Sequence, residues 1–176
     1  MHKLIKSGFN VSYAQQELEN NPKYWSELTF RQNFKDSPHV NTETIYLRGP
    51  ESITPDAILH SIKAINLQIM QNLPNCVELA AEILRFMQPK EVGRIVIVNL
   101  KKNGTVSPHT DEGKYADYYK RFHLSIKTNK KVFHYSQNDY VIMKEGELWE
   151  YAHKFPHHTE NHGDSDRWNM IFDLRI

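Results

Sequence analysis

Alternation of apolar and polar side chains in the second half of the chain constrains the fold more than any other feature of the sequence. Two segments, residues 121–127 and 167–173, place large apolar side chains at every second position: Phe122, Leu124, Ile126, Trp168, Met170 and Phe172. Successive side chains of a β-strand point to opposite faces of its sheet, so each segment is predicted as a strand with one face in the core. Arg121, His123 and Ser125 share the other face of the first strand, which predicts a polar barrel interior.

Further strands are predicted around these two. Residues 94–100 are rich in β-branched side chains and precede an Asn103-Gly104 turn signal. Residues 131–135, 140–143 and 148–151 are shorter candidates that turns separate. Many short strands after a helical layer are typical of a β-sandwich or jelly roll supported by helices.

Up to about residue 50 the chain is polar and mixed, and the zone that follows it is predicted to be helical. A short helix is expected over residues 12–20, and a strand over 44–48 that stops at Gly49-Pro50. Thr54 is a good N-cap for a second helix, in which four isoleucines recur at helical spacing: Ile58, Ile62, Ile65 and Ile69. Residues 72–75 break that helix, and a third follows with a stripe that ends near Pro89: Val77, Ala80, Leu84 and Met87. We expect one domain over residues 1–176, with residues 1–91 as a strand and helical buttress and residues 92–176 as the jelly-roll core.

Bulk composition excludes several classes of partner. The 176 residues carry 22 basic and 21 acidic side chains without a block of one sign, so neither a nucleic acid nor a membrane is expected as a partner. The only cysteine, Cys76, excludes an internal disulfide and suits a reducing compartment. Residues 2–6 (HKLIK) do not begin a signal peptide, and no apolar run reaches about 18 residues. We therefore expect a cytoplasmic protein, whose oligomeric state the sequence does not indicate.

A pair of metal-ligand side chains, His109 and Asp111, stands one residue apart beyond a predicted strand. Two such side chains at a strand end can converge on one ion, and an imidazole nitrogen with a carboxylate oxygen suits Fe(II). A second histidine would complete a triad of two histidines and one carboxylate, which leaves three coordination positions open for co-substrate and oxygen. Because the chain has ten histidines, this spacing alone is weak evidence.

His157 and Arg167 flank a run of turn-forming residues, 161–166 (NHGDSD). If the flanks form a hairpin, the two side chains lie opposite each other, roughly 5 Å apart at Cβ. A metal ligand and a guanidinium so placed can hold both ends of one small α-keto acid, because arginine forks onto a carboxylate. Three other histidines compete for the distal ligand position: His153, His158 and His162. We prefer His157, because His158 would face the opposite side of a strand and His162 lies in the turn.

Several motifs, taken in order and with their spacing, resemble the aspartyl/asparaginyl β-hydroxylase family of Fe(II)/2-oxoglutarate-dependent dioxygenases. They are residues 93–100 (GRIVIVNL), 108–111 (PHTD), 121–124 (RFHL), 146–150 (GELWE), 156–157 (PH), Asn161 and 166–173 (DRWNMIFD). The resemblance covers about the last 85 residues, and residues 45–48 (IYLR) resemble a substrate-side element of small members. It implies a mainly β fold with supporting helices, the cupin-like double-stranded β-helix or jelly roll.

The resemblance also implies the chemistry and the residues that serve it. His109 and Asp111 would be the proximal iron ligands and His157 the distal one, with 2-oxoglutarate as co-substrate and O2 as oxidant. Oxidative decarboxylation of 2-oxoglutarate to succinate and CO2 would drive hydroxylation of a substrate carbon. Residues 92–176 would then be the catalytic core.

Co-substrate binding is implied for three further residues. Arg167 would bind the distal carboxylate of 2-oxoglutarate, while Arg121 and His123 match the family's Arg-x-His element near the metal. The segment of residues 112–120 is longer than in some relatives, and it is a candidate lid or substrate contact. Arg48 and Asn99 are open between a structural and a ligand-binding role.

The substrate is predicted by class only. An aspartyl or asparaginyl side chain of a peptide or protein is the first choice, and a free amino acid such as proline is the second. A non-catalytic cupin-like binding module is disfavoured because both histidines, the aspartate and the co-substrate arginine are all present. A zinc-containing β-barrel enzyme is the remaining alternative, and its metal content would distinguish it.

Overall fold

The computed structural model describes residues 2–33 and 36–176. In this part of the chain the strands are β1 (Lys3–Lys6), β2 (Thr42–Pro50), β3 (Ala64–Asn66), β4 (Glu91–Leu100), β5 (Thr105–His109), β6 (Lys120–Lys127), β7 (Val132–Ser136), β8 (Asp139–Val141), β9 (Leu148–Tyr151), β10 (His157–Asn161) and β11 (Arg167–Arg175). The helices are α1 (Ser12–Asn20), α2 (Phe30–Asn33), α3 (Pro55–His60), α4 (Pro74–Met87) and α5 (Gly113–Tyr118), with short 3-10 segments at Pro22–Ser26 and Gln68–Asn72. Within the described ranges no helix is long and apolar enough to cross a membrane.

The strands form two antiparallel sheets, and the predicted jelly roll is confirmed. The larger sheet has the order β1-β9-β6-β11-β4-β2-β3, and the smaller has the order β5-β10-β7-β8. From β4 to β11 the chain passes back and forth between the two sheets, which is how a jelly roll is wound. The space between the sheets is therefore lined by the inward faces of strands that are distant in sequence.

The main core lies between the larger sheet and the helices. The apolar positions of β6 and β11 pack there against α1 and α4, as their alternation predicts: Phe122, Leu124, Ile126, Trp168, Met170 and Phe172. The polar face of the same two strands is turned the other way. It includes the buried side chains of His123, Ser125 and Asn169, so the predicted polar interior is present.

The first half of the chain contributes strands to the larger sheet as well as supporting helices. Helix α1 has the predicted bounds, while β2 pairs with β4 and continues to Pro50, beyond the predicted stop. Helix α4 begins at Pro74, so this proline starts a helix at its first position as well as interrupting the segment before it. The most deeply buried residues of α4 are offset from the predicted stripe: Cys76, Leu79, Ala80 and Ile83.

The predicted helix through the four isoleucines is wrong. Thr54 does cap α3 by accepting a hydrogen bond from the backbone N–H of Ala57, but the helix ends at His60. Ile62 is 41% exposed, and Ile65 pairs with Gly49 in β3, at the edge of the larger sheet. The backbone of β3 forms its hydrogen bonds with the edge of β2. Isoleucine suits a strand as well as a helix, so helical spacing alone did not predict the structure of this segment.

Candidate metal and co-substrate site

His109, Asp111 and His157 come together at the mouth of the jelly roll. Strands β5 and β10 pair antiparallel with His109 opposite His157, and their ring centroids are 4.3 Å apart. Asp111 follows two residues after His109, and its backbone N–H donates to the carbonyl of His153 at 3.0 Å. One ligand atom from each of the three residues lies within 4.8 Å of the others. The structure thus brings together the three residues that the sequence analysis names as metal ligands.

Hydrogen bonds to the backbone determine which ring nitrogen carries the proton in both triad histidines. Nδ1 of His109 lies 2.8 Å from the carbonyl oxygen of Ser107, and Nδ1 of His157 lies 2.8 Å from that of Phe155. A carbonyl oxygen only accepts, so each Nδ1 donates and each Nε2 keeps its lone pair for a metal ion. Burial lowers the pKa of both rings, that of His157 to about 4, which keeps them neutral near pH 7. Two neutral imidazoles and a carboxylate fit Fe(II).

Arg121 holds the carboxylate of the triad. Its Nη1 donates to Asp111 Oδ2, while Nε and Nη2 donate to the two oxygens of Asp173 at 2.8 and 3.0 Å. Burial by itself would raise the pKa of Asp111, but Arg121 and the nearby histidines lower it below its usual value. Oδ1 of Asp111 lies 3.7 Å from Nε2 of His109. The carboxylate therefore stays ionised and presents one oxygen beside the imidazoles.

Asp173 and Tyr115 complete this network, and sequence reasoning missed both. The Tyr115 hydroxyl donates to Asp173 Oδ2 at 3.0 Å and accepts from the backbone N–H of Arg94 at 2.7 Å. Asp173 pairs with Arg121 in the register of β11 and β6. Alternation along β11 places Asp173 on the same face as Arg167, and that signal was available in the sequence.

Arg167 is buried in the interior, and no carboxylate of the described residues pairs with it. It is 3% exposed, its Nη2 lies 3.4 Å from Nδ1 of His134, and its Nε has no hydrogen-bond partner in the described chain. No salt bridge joins it to a carboxylate of the described residues. Burial lowers its pKa to about 10. A buried guanidinium without a counter-charge fits a ligand that brings a carboxylate.

The predicted hairpin between His157 and Arg167 is wrong. Strand β10 belongs to the smaller sheet and β11 to the larger, and residues 162–166 carry the chain from one sheet to the other. In that turn the Asn161 side chain donates to the carbonyl of Ser165 at 2.9 Å and accepts from the N–H of Gly163 at 3.1 Å. His157 and Arg167 nevertheless line one inner cavity, from facing sheets.

His123 lies in the same inner cavity. Its ring stacks on that of Tyr151 with centroids 4.0 Å apart and planes 4° apart, and its Nε2 has no partner within the described residues. Burial and the charge of Arg167 lower the pKa of His123 well below its usual value. The imidazole is therefore neutral. Its predicted contact with 2-oxoglutarate stays a prediction, as does that of Arg121, whose donors already bind two carboxylates.

The side chains of the other candidate histidines bind partners outside the triad. His158 stacks on Tyr135 with centroids 4.3 Å apart, His162 bonds to Glu160 at 2.8 Å, and His153 lies 3.2 Å from the carbonyl of Ala116. Arg48 and Asn99, which the sequence left open between a structural and a ligand-binding role, both bond to other residues of the protein. Arg48 donates to the carbonyls of Gly93, Ala64 and Val92, while Asn99 donates to Glu43 and Asp166.

An outer cavity of about 600 Å³ adjoins the triad, and both His109 and Asp111 line it. Residues 112–120 form α5 and contribute Glu112, Tyr115 and Ala116 to its wall, so this segment borders the space beside the metal ligands. The first half of the chain supplies Arg31 and His39 to this wall, and sequence reasoning missed both. Tyr46, from the 45–48 stretch that resembles a substrate-side element, and Arg94 of β4 line it as well.

The jelly roll and the histidine–aspartate–histidine cluster, together with a family match over nearly the whole chain, assign the protein to the 2-oxoglutarate-dependent dioxygenases. Within that class, a sequence model of the aspartyl/asparaginyl β-hydroxylase family matches residues 3–175. The chain belongs to this family. No functionally curated protein matches its sequence.

Solved structures share the fold at low sequence identity. A 2-oxoglutarate–Fe(II) oxygenase family oxidoreductase from Burkholderia pseudomallei is 12% identical, with a TM-score of 0.55 over 97% of this chain and 93% of that one. A prolyl hydroxylase from Trichoplax adhaerens, in complex with a hypoxia inducible factor peptide fragment, is 10% identical, with a TM-score of 0.59 over 99% and 83%. The viral collagen prolyl hydroxylase of Paramecium bursaria Chlorella virus-1, in a 2-oxoglutarate complex, is 6% identical, with a TM-score of 0.57 over 99% and 96%.

Proposed function

We propose that the protein hydroxylates an aspartyl or asparaginyl side chain of a peptide or protein. His109, Asp111 and His157 hold Fe(II), and Arg167 binds the distal carboxylate of 2-oxoglutarate. The observation that carries the co-substrate assignment is the buried Arg167 guanidinium, which no carboxylate of the described chain neutralises and which shares a cavity with His157. Family membership and the outer cavity beside the triad support the substrate class.

The residues of the chain orient the reactants and exclude water. Bound Fe(II), 2-oxoglutarate and O2 supply the chemistry, in which oxidative decarboxylation to succinate and CO2 is coupled to hydroxylation of a carbon. Nε2 of each histidine and Oδ1 of Asp111 would hold the metal, because backbone carbonyls and Arg121 occupy their other polar atoms. Val98, Val106 and Ile171 give the inner cavity an apolar wall. Such a wall keeps water from the reacting atoms.

The geometry supports an acceptor substrate that enters through the outer cavity. This cavity borders His109 and Asp111, so a side chain placed in it lies beside the metal position. The Trichoplax structure is a prolyl hydroxylase with a peptide bound, and a fold shared over 83% of that chain is consistent with a peptide substrate here. We also retain the proposal of a cytoplasmic location, which the single buried thiol of Cys76 supports.

The test is succinate formation by anaerobically Fe(II)-loaded protein given 2-oxoglutarate, ascorbate and air. His157→Ala is the test variant and His158→Ala is its matched control, since His158 follows in the same strand but stacks on Tyr135 outside the triad. We expect His157→Ala to lose at least about 100-fold in turnover and in metal affinity, and His158→Ala to stay near wild type.

Peptides that carry aspartate or asparagine, and free amino acids including proline, are then screened for stimulated succinate release and for addition of one oxygen atom. Stimulation by free amino acids alone would replace the peptide proposal with the free amino acid one. An equal loss in both histidine variants would contradict the ligand assignment. Failure of the wild-type protein to bind Fe(II) and 2-oxoglutarate under anaerobic conditions would overturn the enzyme proposal.

A further inference from the structure

Arg31 on α2 lines the outer cavity and borders the inner one, and its guanidinium has neither a carboxylate nor a carbonyl partner among the described residues. We infer that Arg31 and His39 form a receptor for a carboxylate of the substrate, so that the enzyme selects an anionic substrate group over a neutral amide. This inference rests on the proposed function and narrows its substrate class. The carboxylate has two chemical sources, an aspartyl side chain or the α-carboxylate of a free amino acid.

Arg31 differs from the other arginines that line this cavity. Arg94 donates to the carbonyl oxygens of Ala57 and Ile58, and Arg121 donates to Asp111 and Asp173. Arg31 has a single side-chain partner in the described chain, Nε2 of His39 at 3.0 Å, and no salt bridge to a described carboxylate. Its remaining N–H groups are therefore available to a ligand.

His39 adds a second donor beside the metal ligands. A guanidinium only donates, so Nε2 of His39 accepts from Arg31 and Nδ1 carries the proton. That Nδ1 is buried and has no partner in residues 2–33 and 36–176. The His39 ring meets the His109 ring edge to face, with centroids 5.1 Å apart. The two donors thus adjoin the point at which oxygen chemistry would take place.

The rest of the cavity wall favours an aliphatic group that ends in a charge. Phe30 and Tyr46 stack with centroids 5.3 Å apart, and Ile58, Leu59 and Val96 continue the apolar lining. A planar carboxylate would accept two parallel hydrogen bonds from Arg31 and neutralise its charge. A carboxamide of the same shape accepts with one oxygen only and leaves the half-buried charge of Arg31 uncompensated, which is unfavourable.

The experiment compares matched substrates on the intact Fe(II)-loaded protein. Peptides that differ only by aspartate or asparagine at one position test an aspartyl side chain, and free proline paired with prolinamide tests an α-carboxylate. The variants are Arg31→Gln, Arg31→Lys and, as a control, Arg85→Gln on the exposed surface of α4. Binding of 2-oxoglutarate is measured separately with Mn(II) in place of iron, and thermal melting verifies that each variant is folded.

We expect a preference of about tenfold or more in kcat/KM for the carboxylate member of the preferred pair. Arg31→Gln should remove most of that preference, Arg31→Lys should retain part of it, and the Kd for 2-oxoglutarate should stay within about twofold of wild type. A dominant response to aspartyl peptides, or instead to free amino acids, identifies the source of the carboxylate.

Three results would overturn the inference. They are equal turnover of the carboxylate and amide members, an equal loss for both in Arg31→Gln, or a weakened affinity for 2-oxoglutarate in that variant. The last would assign Arg31 to the co-substrate. All three leave the oxygenase assignment standing, whereas failure of wild-type protein to bind the metal and 2-oxoglutarate would defeat the proposed function itself.

Discussion

The Asp173 carboxylate receives a bidentate pair of hydrogen bonds from Arg121, at 2.8 Å from Nε and 3.0 Å from Nη2. The remaining terminal nitrogen of the same guanidinium donates to Asp111, the carboxylate of the triad. Strands β11 and β6 place Asp173 and Arg121 opposite each other. A residue outside the triad thus sets the position of one of its members through a buried, charge-assisted chain.

Asp173→Asn should weaken metal binding without removing a triad residue. The asparagine amide cannot form the bidentate ion pair with Arg121. The guanidinium is then held less firmly, and so is the Asp111 carboxylate to which it donates. We expect metal affinity to fall about 10- to 100-fold in a titration with Co(II) or Mn(II). Tyr115→Phe should shift it in the same direction by less, and Asp117→Asn, an exposed partner of Lys154, is the control. Unchanged affinity in Asp173→Asn would show that Asp111 needs no such support.

Arg167→Met should stabilise the ligand-free protein while it abolishes 2-oxoglutarate binding. The pKa of Arg167 is lowered from 12.5 to about 10, so the charged form is penalised by about 3 kcal/mol in the fold at every pH below 10. Methionine fills similar space without the charge. We expect a gain of about 1–3 kcal/mol in the free energy of unfolding, after some loss of packing and hydrogen bonding. The measurement is urea unfolding with and without Mn(II) and 2-oxoglutarate.

The wild-type protein should gain stability when 2-oxoglutarate is added together with Mn(II), and Arg167→Met should not gain from 2-oxoglutarate. Arg175→Met, at an exposed site at the end of β11, is the control for loss of an arginine. A less stable ligand-free Arg167→Met would mean that the guanidinium is satisfied by the fold itself.

Stability should fall as the pH drops below about 6.5. Burial lowers the pKa of His123 and His134 well below 6.5, so both rings bind protons in the unfolded chain before they do so in the fold. Their contribution is complete above pH 6.5 and is lost on acidification, by up to about 1.4 kcal/mol per pH unit for each histidine. Urea unfolding of metal-free protein from pH 8 to 5 measures this slope. His134→Gln should make it shallower and His60→Gln on the surface should not; identical slopes in all three proteins would contradict the assignment.

Glu17→Ala should lower the free energy of unfolding by removing the contact that joins α1 to the N-terminus of α4. The buried Glu17 carboxylate accepts from the backbone N–H groups of Asn75 and Cys76 at 2.9 and 2.8 Å, at the positive N-terminus of α4. Loss of hydrogen bonds to a charged group should cost about 2–3 kcal/mol in thermal or urea unfolding. Glu19→Ala, on the same helix but exposed, should cost less than about 1 kcal/mol. Equal effects would mean that Glu17 contributes no more than a surface charge.

Local sequence patterns predicted correctly the features that depend on residues close together in the chain. The alternation in β6 and β11 assigned Phe122 and Met170 to the core and His123 to the interior, and both assignments are confirmed. Spacing brought His109 and Asp111 together because two residues at the end of one strand cannot lie far apart. The isoleucine stripe failed, because isoleucines at helical spacing do not distinguish a helix from the edge strand β3.

The sequence by itself determined the strand faces, the family, and the chemical types of the triad and Arg167, since these depend on residue identity and short-range periodicity. Only the tertiary structure decided that His157 and Arg167 face each other across two sheets instead of along a hairpin. It also decided which arginines are neutralised: Arg121 by Asp111 and Asp173, but neither Arg31 nor Arg167 by any described carboxylate. Charge pairing depends on distances between strands far apart in sequence, and those distances exist only once the sheets have packed.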